Sequence, residues 1–396
     1  MPQSALAAGP GRSELLARVE RAPDALGMFA AASAQLHRIL PFDAAVWRVT
    51  DPETGIMTAP VHTENINEIS CAAYWELELF AESVNLYSEL AQSPVPVAGL
   101  RESTGGRPGC SAVYQDFMLP RGLHDELRVV LRVGGRQQGT VSLFRARGRT
   151  AFDAADTAFV GSLVTPLARR LRSYAEPRPT GRVPYALGAS DGPGLPGGPG
   201  LPDGPGLLLF DPSGRLLSVN DEARRYLSEP SDGPSESTGL GVRLPAWVHG
   251  ISAKARAAAH ERDRGTARIR LRTRGGHWMV CHATCMRQAD GSPGGTAVVL
   301  EPAKASDVMP LVADAYELSE REVEVTRCVA RGLSTEKIAH LLFLSPHTVR
   351  DHIKAIFEKT GVSSRGELVS LLFIDHYRPA LTAVQEENEF ASMTKR

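Results

Sequence analysis

Cysteine is scarce in this chain of 396 residues, which contains only five. The number is odd and the cysteines have no framework spacing, so we expect no disulfide scaffold and a reducing, cytoplasmic setting. No run of about 18 apolar residues occurs without a charge, which argues against a membrane span and a membrane partner. The first residues also lack the pattern of a signal peptide, so we expect none.

The chain has no excess of either charge, because 44 lysine and arginine residues are balanced by 45 aspartate and glutamate residues. A net charge of −1 excludes a global basic field that would attract nucleic acid. Any DNA-binding surface must therefore be local, and its affinity must depend strongly on salt. With 42% hydrophobic residues, the chain is long enough for roughly two or three domains.

Signatures of catalysis and of metal binding are also missing. The sequence has no G-x-S-x-G elbow, Walker loop, kinase signature or nucleophile–base arrangement, so we do not expect an enzyme. One group has the residue types of a metal site, namely His277, Cys281, His282 and Cys285. On a strand, however, three of these share one face and His282 points to the other. We therefore expect no metal and no cofactor.

Changes of composition along the chain predict a multidomain protein. Proline or glycine occupies more than half of the positions near the middle of the sequence, which predicts a linker over residues 177–206. A flexible tail is predicted for residues 378–396. Between and before these segments we expect an α+β domain over residues 14–176, a second α+β domain over residues 207–303 and an all-α domain over residues 312–377.

The first domain is predicted to consist of helices around two hairpins. We expect a helix over residues 14–40, a hairpin over residues 41–60 and a second helix over residues 74–91. A further hairpin turns at Gly134 and Gly135, and a closing helix follows over residues 156–174. This closing half is similar to that of GAF domains, so the resemblance implies a GAF-like sensor.

The second domain opens with a strand, a turn, a strand and a short helix, followed by three more strands. Its opening pattern resembles that of PAS domains on five residues, Asp211, Gly214, Arg215, Asn220 and Ala223. The resemblance implies a PAS-like α+β sensor. Neither sensor has a residue pattern that identifies a ligand, so a small molecule and a protein both remain open as its effector.

The C-terminal domain has the densest helix signals in the chain. Serine and threonine caps predict four helix starts, and two glycines predict helix ends. These signals are Ser319 with Glu322, Ser334 or Thr335, Ser345 with Pro346, and Ser364 with Glu367, and the glycines are Gly332 and Gly361. Four short helices within 55 residues or so predict a compact helical module.

The third helix of this module is amphipathic. Its apolar stripe is formed by Val349, Ile353, Ile356 and Phe357. Its polar stripe is formed by His347, Arg350, Asp351, Lys354 and Glu358. An isolated helix of this kind would more often be a solvated surface helix, but a preceding helix and short turn favour a recognition helix that enters the major groove. An arginine can then bind guanine, and an aspartate can accept from cytosine.

The whole module resembles the LuxR-type (GerE-like) helix-turn-helix. The matching residues are Leu318, Ser319, Arg321, Glu322, Glu324, Val325, Gly332, Leu333, Ser334, Ile338, Ala339, Leu342, Leu344, Ser345, Thr348, Val349, Arg350, His352, Lys359, Gly361, Val362, Ser364 and Arg365. The resemblance implies a four-helix DNA-binding domain whose last helix mediates dimerisation. Asp351 departs from the pattern, because many members have a neutral residue there.

The resemblance and the polar stripe together give an expected set of functional residues. The expected DNA-binding residues are Lys337, Ser345, His347, Thr348, Arg350, Asp351, His352, Lys354, Lys359 and Arg365, and the expected dimerisation residues are Leu368, Leu371 and Leu372. The predicted protein is a transcriptional regulator that binds double-stranded DNA as a homodimer. The alternative is a signalling or scaffold protein whose helical module binds another protein.

Overall fold

The computed structural model describes residues 10–66, 70–175, 204–228, 233–262, 265–273 and 277–371. These residues form two compact units. The first contains both large β-sheets and ends at Glu301, and the second is formed mainly by the residues from Pro302 onward. The predicted tail lies outside the described residues, as does the predicted linker apart from its last three residues. Within the described part of the chain, no helix is long and apolar enough to cross a membrane.

The first unit begins with two helices where the sequence predicts one over residues 14–40. They are α1 (Pro10–Glu20) and α2 (Ala25–Ile39). The chain breaks between them because Asp24 is an N-cap, and its Oδ1 accepts a hydrogen bond from the Gly27 backbone at 2.8 Å. A single long helix was therefore the wrong prediction for this segment.

The first sheet has five antiparallel strands in the order β2-β1-β5-β4-β3. The strands are β1 (Ala44–Thr50), β2 (Met57–Glu64), β3 (Val97–Gly99), β4 (Leu123–Val133) and β5 (Arg136–Ala146). Both predicted hairpins are confirmed. The helices around the sheet are α3 (Ser70–Phe80), α4 (Tyr87–Leu90), α5 (Leu100–Ser103) and α6 (Ala154–Ser173). The helix predicted for residues 74–91 is therefore two helices.

Both faces of this sheet are covered by apolar side chains. Alternate residues of a strand point to opposite faces. On β1, Trp47 lies under α2, where its indole N–H donates to Ser33 at 3.2 Å. Its neighbour Val46 belongs to the cluster on the other face, together with Tyr74 and Phe117. In the buried strands, apolar residues therefore hardly alternate with polar ones along the sequence.

The second sheet also has five strands, in the order β10-β11-β12-β6-β7. They are β6 (Gly206–Phe210), β7 (Leu216–Val219), β10 (Arg268–Arg272), β11 (Trp278–Arg287) and β12 (Pro293–Pro302). Between them lie helix α7 (Asp221–Tyr226), the small hairpin of β8 (Ser235–Ser237) and β9 (Arg243–Pro245), and helix α8 (Ala246–Ala259). The predicted strands are confirmed, whereas α8 is a helix that the sequence patterns did not predict.

The two sheets belong to one compact unit, and a buried ion pair joins them. Arg270 on β10 donates to both carboxylate oxygens of Asp51, at 2.6 and 2.8 Å. The two side chains are only 2% and 1% exposed. Thr54 Oγ1 also donates to the backbone carbonyl of Arg268 at 2.9 Å. Because a buried charge is stable only with its partner, this pair fixes how the sheets dock.

The second unit is helical. It contains α9 (Ala305–Ala315), α10 (Glu320–Ala330), α11 (Thr335–Leu342), α12 (Pro346–Thr360) and α13, which is described over residues 365–371. The four helices predicted from the capping signals are confirmed as α10 to α13. Helix α9 was not predicted, and it adds Val308 and Val312 to the same apolar core.

Candidate nucleic-acid interface

The apolar stripe of α12 is the centre of the helical core. Val349 and Ile356 are fully buried, and Ile353 is 8% exposed. They pack in one cluster with side chains of α10, α11 and α13. Anchoring one stripe in this way leaves the opposite face of α12 at the surface, as a recognition helix requires.

The turn between α11 and α12 is short because both helix ends are capped. Phe343 ends α11 in the left-handed conformation, with φ of 55°. Ser345 begins α12, and its Oγ accepts from the Thr348 backbone at 3.0 Å. The two hydroxyls of Ser345 and Thr348 also pair at 2.8 Å, so both side chains are held at the helix start.

The exposed face of α12 brings together most of the predicted base-contacting side chains. His347, Arg350, Asp351 and Lys354 are exposed, and Thr348 and His352 are partly buried beside them. Lys337 on α11 is also exposed. His347 and Lys354 have 81% and 79% of their side-chain surface accessible. The structure therefore places a solvent-facing group of cationic and hydrogen-bonding side chains on one helix.

Acidic side chains accompany the basic side chains of this face. His347 Nδ1 lies 2.8 Å from Asp351 Oδ2 one turn further on. Lys354 Nζ lies 3.9 Å from Glu358 Oε1, again one turn further on. Exposed pairs at this spacing contribute only about 0.3–0.5 kcal/mol. They are weak enough to open when a phosphate or a base edge competes for the same donors.

Two other predicted contacts are engaged inside the module. Lys359 Nζ donates to Glu322 Oε2 at 2.7 Å and to the Glu317 carbonyl at 2.9 Å. Arg365 donates to the Leu333 carbonyl and to Thr335 Oγ1, both at 2.8 Å. These bonds tie the end of α12 and the start of α13 back onto α10 and α11.

The carboxylate of Glu322 has two structural partners in this network. It accepts from Lys359 and, at 2.6 Å, from the backbone N–H of Ser319, which completes the capping box predicted for α10. Partial burial raises the pKa of Glu322, but the hydrogen bonds from Lys359 and Ser319 outweigh it and hold the pKa below its usual range.

The start of α13 differs in one detail from the predicted capping box. Ser364 Oγ accepts from the Glu367 backbone at 3.1 Å, as expected. The Glu367 carboxylate, however, accepts from the backbone N–H of Ser363 at 2.7 Å rather than from that of Ser364. The reciprocal bond is therefore shifted by one residue, because a 3.0 Å and a 2.8 Å contact to the Ser363 hydroxyl hold the carboxylate there.

The three predicted dimerisation residues lie in different environments. Leu368 is fully buried in the core of the module, so it presents no surface to a second subunit. Leu371 is partly buried. Leu372 lies outside the described residues. Only the edge of α13 near Leu371 is thus a described candidate for contact between subunits.

Side chains outside the helical unit include a buried charge cluster that sequence patterns did not indicate. Arg128 donates to Glu78 at 2.7 Å and to Glu126 at 3.0 Å, and Tyr74 donates to Glu126 at 2.7 Å. Burial raises the pKa of Glu78, although Arg128 opposes the shift. The charged residues of β4, namely Asp125, Glu126, Arg128 and Arg132, were the available signal, because charges are unusual on a buried strand.

The described residues contain no group of three or more side chains arranged to hold a metal ion. Cys281 is fully buried on β11, and burial raises the pKa of its thiol. Cys285 is partly buried and His282 is exposed, so these side chains do not converge.

Comparison with known proteins identifies the helical unit. Residues 316–372 match the GerE family, described as bacterial regulatory proteins of the luxR family. The spore germination protein GerE of Bacillus subtilis is 40% identical over 52 residues, which are 13% of this chain and 70% of that protein. A Mycobacterium bovis protein named as an HTH-type transcriptional regulator is 44% identical over 52 residues, or 13% of this chain. The chain spans only 6% of the length of that relative.

Similarity to solved structures is weaker. The ligand-binding domain of VqsR from Pseudomonas aeruginosa aligns with 42% of this chain and 99% of its own, at 14% identity and a TM-score of 0.31. A score this low carries no argument about the first unit. The matched family and its named relatives are regulators and not enzymes.

Proposed function

The chain belongs to the luxR family of bacterial regulatory proteins by its residues 316–372, and from this we propose that it binds operator DNA to regulate transcription. In this proposal α12 enters the major groove. The first unit controls the helical unit in response to an effector. The protein acts in the cytoplasm, where its DNA target lies.

The exposed face of α12 is the observation that carries the proposal. Arg350 can donate two hydrogen bonds to the O6 and N7 of a guanine, and Asp351 can accept from a cytosine. Lys354 on α12 and Lys337 on α11 are both exposed and can neutralise phosphates. Thr348 and His352 add hydrogen-bonding groups at the margin of this face. Lys359 and Arg365 would reach a phosphate only by exchanging their internal partners.

Dimerisation follows from the small size of the recognition surface. One recognition helix with two or three exposed basic side chains gives modest affinity, and two copies on a two-fold-related site would add their contacts. We propose that Leu371 and Leu372 of α13 contribute to that contact, while Leu368 supports the helix from the core. Homodimer formation on DNA is therefore part of the proposal.

The first unit is proposed to be the sensor. Residues 14–176 would serve as a GAF-like domain and residues 207–303 as a PAS-like domain, and each contains one five-stranded sheet with flanking helices. An unidentified small molecule or protein that binds one conformation better than another would shift the population able to bind DNA.

Selection and binding experiments test the DNA-binding role. The full-length chain is incubated with genomic DNA fragments, and the retained fragments are sequenced and used as probes in fluorescence anisotropy at two salt concentrations. Arg350→Ala combined with Lys354→Ala should weaken binding by roughly 100-fold, with unchanged circular dichroism. Equal binding by wild type and the double variant would remove α12 from the groove.

A protein-binding role for the helical module is the second candidate. Two exposed apolar side chains favour this role. Phe343 directly after α11 is 95% exposed, and Leu341 in the last turn of α11 is 50% exposed. Exposed large apolar side chains of this kind are common at protein interfaces. Retention of no DNA by the wild-type chain would favour this role over the first.

A further inference from the structure

Phe343 is the most exposed large apolar side chain in the part of the chain that the structure describes. It is 95% exposed, whereas Val95, the next in order, is 56% exposed. Single apolar residues are ordinary on a protein surface, so exposure alone assigns no role to the ring. Its place in the chain is more informative, because Phe343 lies in the turn that joins α11 to α12, directly before the start of the exposed helix.

The backbone of Phe343 is strained and is also fixed. Its φ of 55° lies in the left-handed region, where glycine is usual and a side chain has a steric cost. The N–H groups of Phe343 and Leu344 both donate to the carbonyl of Ala339, which closes the end of α11 in this conformation. Residues held in such conformations cluster at functional sites, so the strain indicates a function for the ring.

The two neighbours of Phe343 decide where its ring can go. Leu342 and Leu344 both pack against the apolar core of the helical unit. Phe343 between them is turned out to solvent, and Ser345 and His347 are exposed directly after it. The exposed side chains therefore continue from the ring into the first turn of α12.

This position favours DNA over a protein as the partner of the ring. The N-terminal residues of a recognition helix contact base edges in the major groove, so a residue just before that helix lies at the groove as well. Thymine alone among the bases presents a methyl group there, and phenylalanine is one of the side chains that contact it. A fixed backbone also means that little freedom of the turn is lost when the ring binds.

We propose that Phe343 is a specificity-determining residue that contacts a thymine methyl group beside the bases read by Arg350 and Asp351. The inference rests on the proposed function, since it requires α12 to lie in the major groove. The ring adds an apolar contact to a face whose other side chains are charged or hydrogen-bonding. It raises affinity for sites with thymine at one position of each half-site, and it releases no counterion in doing so.

Replacing thymine by uracil removes only the methyl group and therefore tests this contact. A genomic fragment that the full-length chain retains is amplified either with thymidine triphosphate or with deoxyuridine triphosphate. The affinity of the full-length chain for each product is then measured by fluorescence anisotropy. Wild type should bind the uracil fragment roughly fourfold more weakly for each methyl group that the ring buries, or about tenfold or more for a dimer.

Phe343→Asn removes the ring and keeps the turn, because asparagine tolerates the left-handed conformation. The variant should bind the thymine fragment about tenfold more weakly than wild type does, and its own loss on uracil should be smaller by the same factor. Other contacts with thymine methyl groups are common to both proteins, so the difference between the two losses belongs to Phe343. Phe343→Leu stays apolar and should keep most of the wild-type loss. Val95→Asn, in the first unit, is the control and should behave as wild type.

Three results would overturn the proposal. The first is an equal loss on uracil for wild type and Phe343→Asn, and equal affinities as well would assign the ring to a protein partner instead. The second is faster amide hydrogen exchange of α11 and α12 in Phe343→Asn, since the ring would then support the fold. The third is a lower slope of log affinity against log salt in this variant, because only a phosphate contact lowers it.

Failure of this proposal can be told apart from failure of the proposed function. If Arg350→Ala with Lys354→Ala loses DNA binding while the two losses on uracil are equal, only the role of Phe343 is refuted. If the wild-type chain retains no DNA, or the double variant binds as well as wild type does, both proposals fall.

Discussion

Lys354 and Lys359 lie five residues apart on α12. We expect removal of the first to affect DNA binding and removal of the second to affect stability. Lys354 is 79% exposed and has only a 3.9 Å contact with Glu358, whereas Lys359 bonds at 2.7 Å to a carboxylate that is 8% exposed. Lys354→Met should therefore weaken DNA binding without changing stability. Lys359→Met should destabilise the helical unit, because it leaves Glu322 without its cationic partner.

The magnitudes follow from what each side chain contacts. A lysine on a phosphate contributes about 0.9 to the slope of log affinity against log salt, so Lys354→Met should reduce the slope by about 1.8 for a dimer. A hydrogen bond between charged groups contributes about 1.5–3 kcal/mol. Because Lys359 is 37% exposed and Glu322 keeps its bond from Ser319, we expect a loss near the lower limit, about 1–2 kcal/mol.

Hydrogen exchange of α10 and α12 amides measures the stability of this unit within the full chain. A loss of about 1.4 kcal/mol accelerates exchange tenfold where opening of the unit limits it. Glu322→Gln combined with Lys359→Met serves as the control, because the interaction is already lost in either single variant and the two effects should not add. The reasoning is wrong if Lys359→Met leaves exchange unchanged and lowers the salt slope as Lys354→Met does.

Three further predictions concern other parts of the chain. The pKa of Glu322 is lowered from 4.5 in the folded state, so its contribution to stability is present above pH 4.5 and is lost as the pH falls through the folded pKa. Glu322→Gln should therefore flatten the acid dependence of amide hydrogen exchange in α10. Phe343→Gly should relieve the left-handed strain at an exposed site and raise the stability of the helical unit by up to about 1 kcal/mol, measured by the same exchange. Asp51→Ala should leave Arg270 buried without its main partner and lower the free energy of unfolding by about 3–5 kcal/mol. Urea denaturation followed by tryptophan fluorescence measures this, and a loss below about 1 kcal/mol would contradict a role of the ion pair in joining the sheets.

Helix boundaries in the second unit could be predicted because their causes are local. Each serine cap bonds a backbone N–H three residues ahead, as Ser334 does with Lys337 and Ser345 with Thr348. Gly361 ends α12 with φ of 70°, where a side chain would be strained. These signals lie within one turn of the boundary and need no tertiary information.

Helix α8 was missed because it lacks such a local signal. Helix α8 begins after Pro245, which makes no side-chain capping bond, and its sequence is rich in alanine and without a clear start signal. The break between α1 and α2 did have a signal, since Asp24 is an N-cap residue. The apolar periodicity of residues 14–40 continues across the break, and it favoured a single helix over the capping signal.

Partners of charged side chains that lie far apart in the chain could not be read from the sequence. Lys359 and Glu322 are 37 residues apart, and Arg365 and Leu333 are 32 residues apart. A resemblance to a DNA-binding pattern places a cation near DNA, but it does not tell whether that cation also holds the fold. Arg128 on β4 is a similar case, since its partner Glu78 is 50 residues away in sequence.

The charges on the exposed face of α12 bear on the affinity that its proposed role in DNA binding would require. Arg350 and Lys354 are accompanied on the same helix by Asp351 and Glu358, so α12 of a single copy would offer DNA little net charge. In the proposed role, non-specific attraction to phosphates would be weak, and Asp351 would repel any phosphate that comes near it. A site that places a cytosine amino group opposite Asp351 converts that repulsion into a hydrogen bond. If α12 binds DNA as proposed, the same acid would lower affinity for most sequences and raise discrimination among them, which is the balance expected of a protein that relies on paired half-sites.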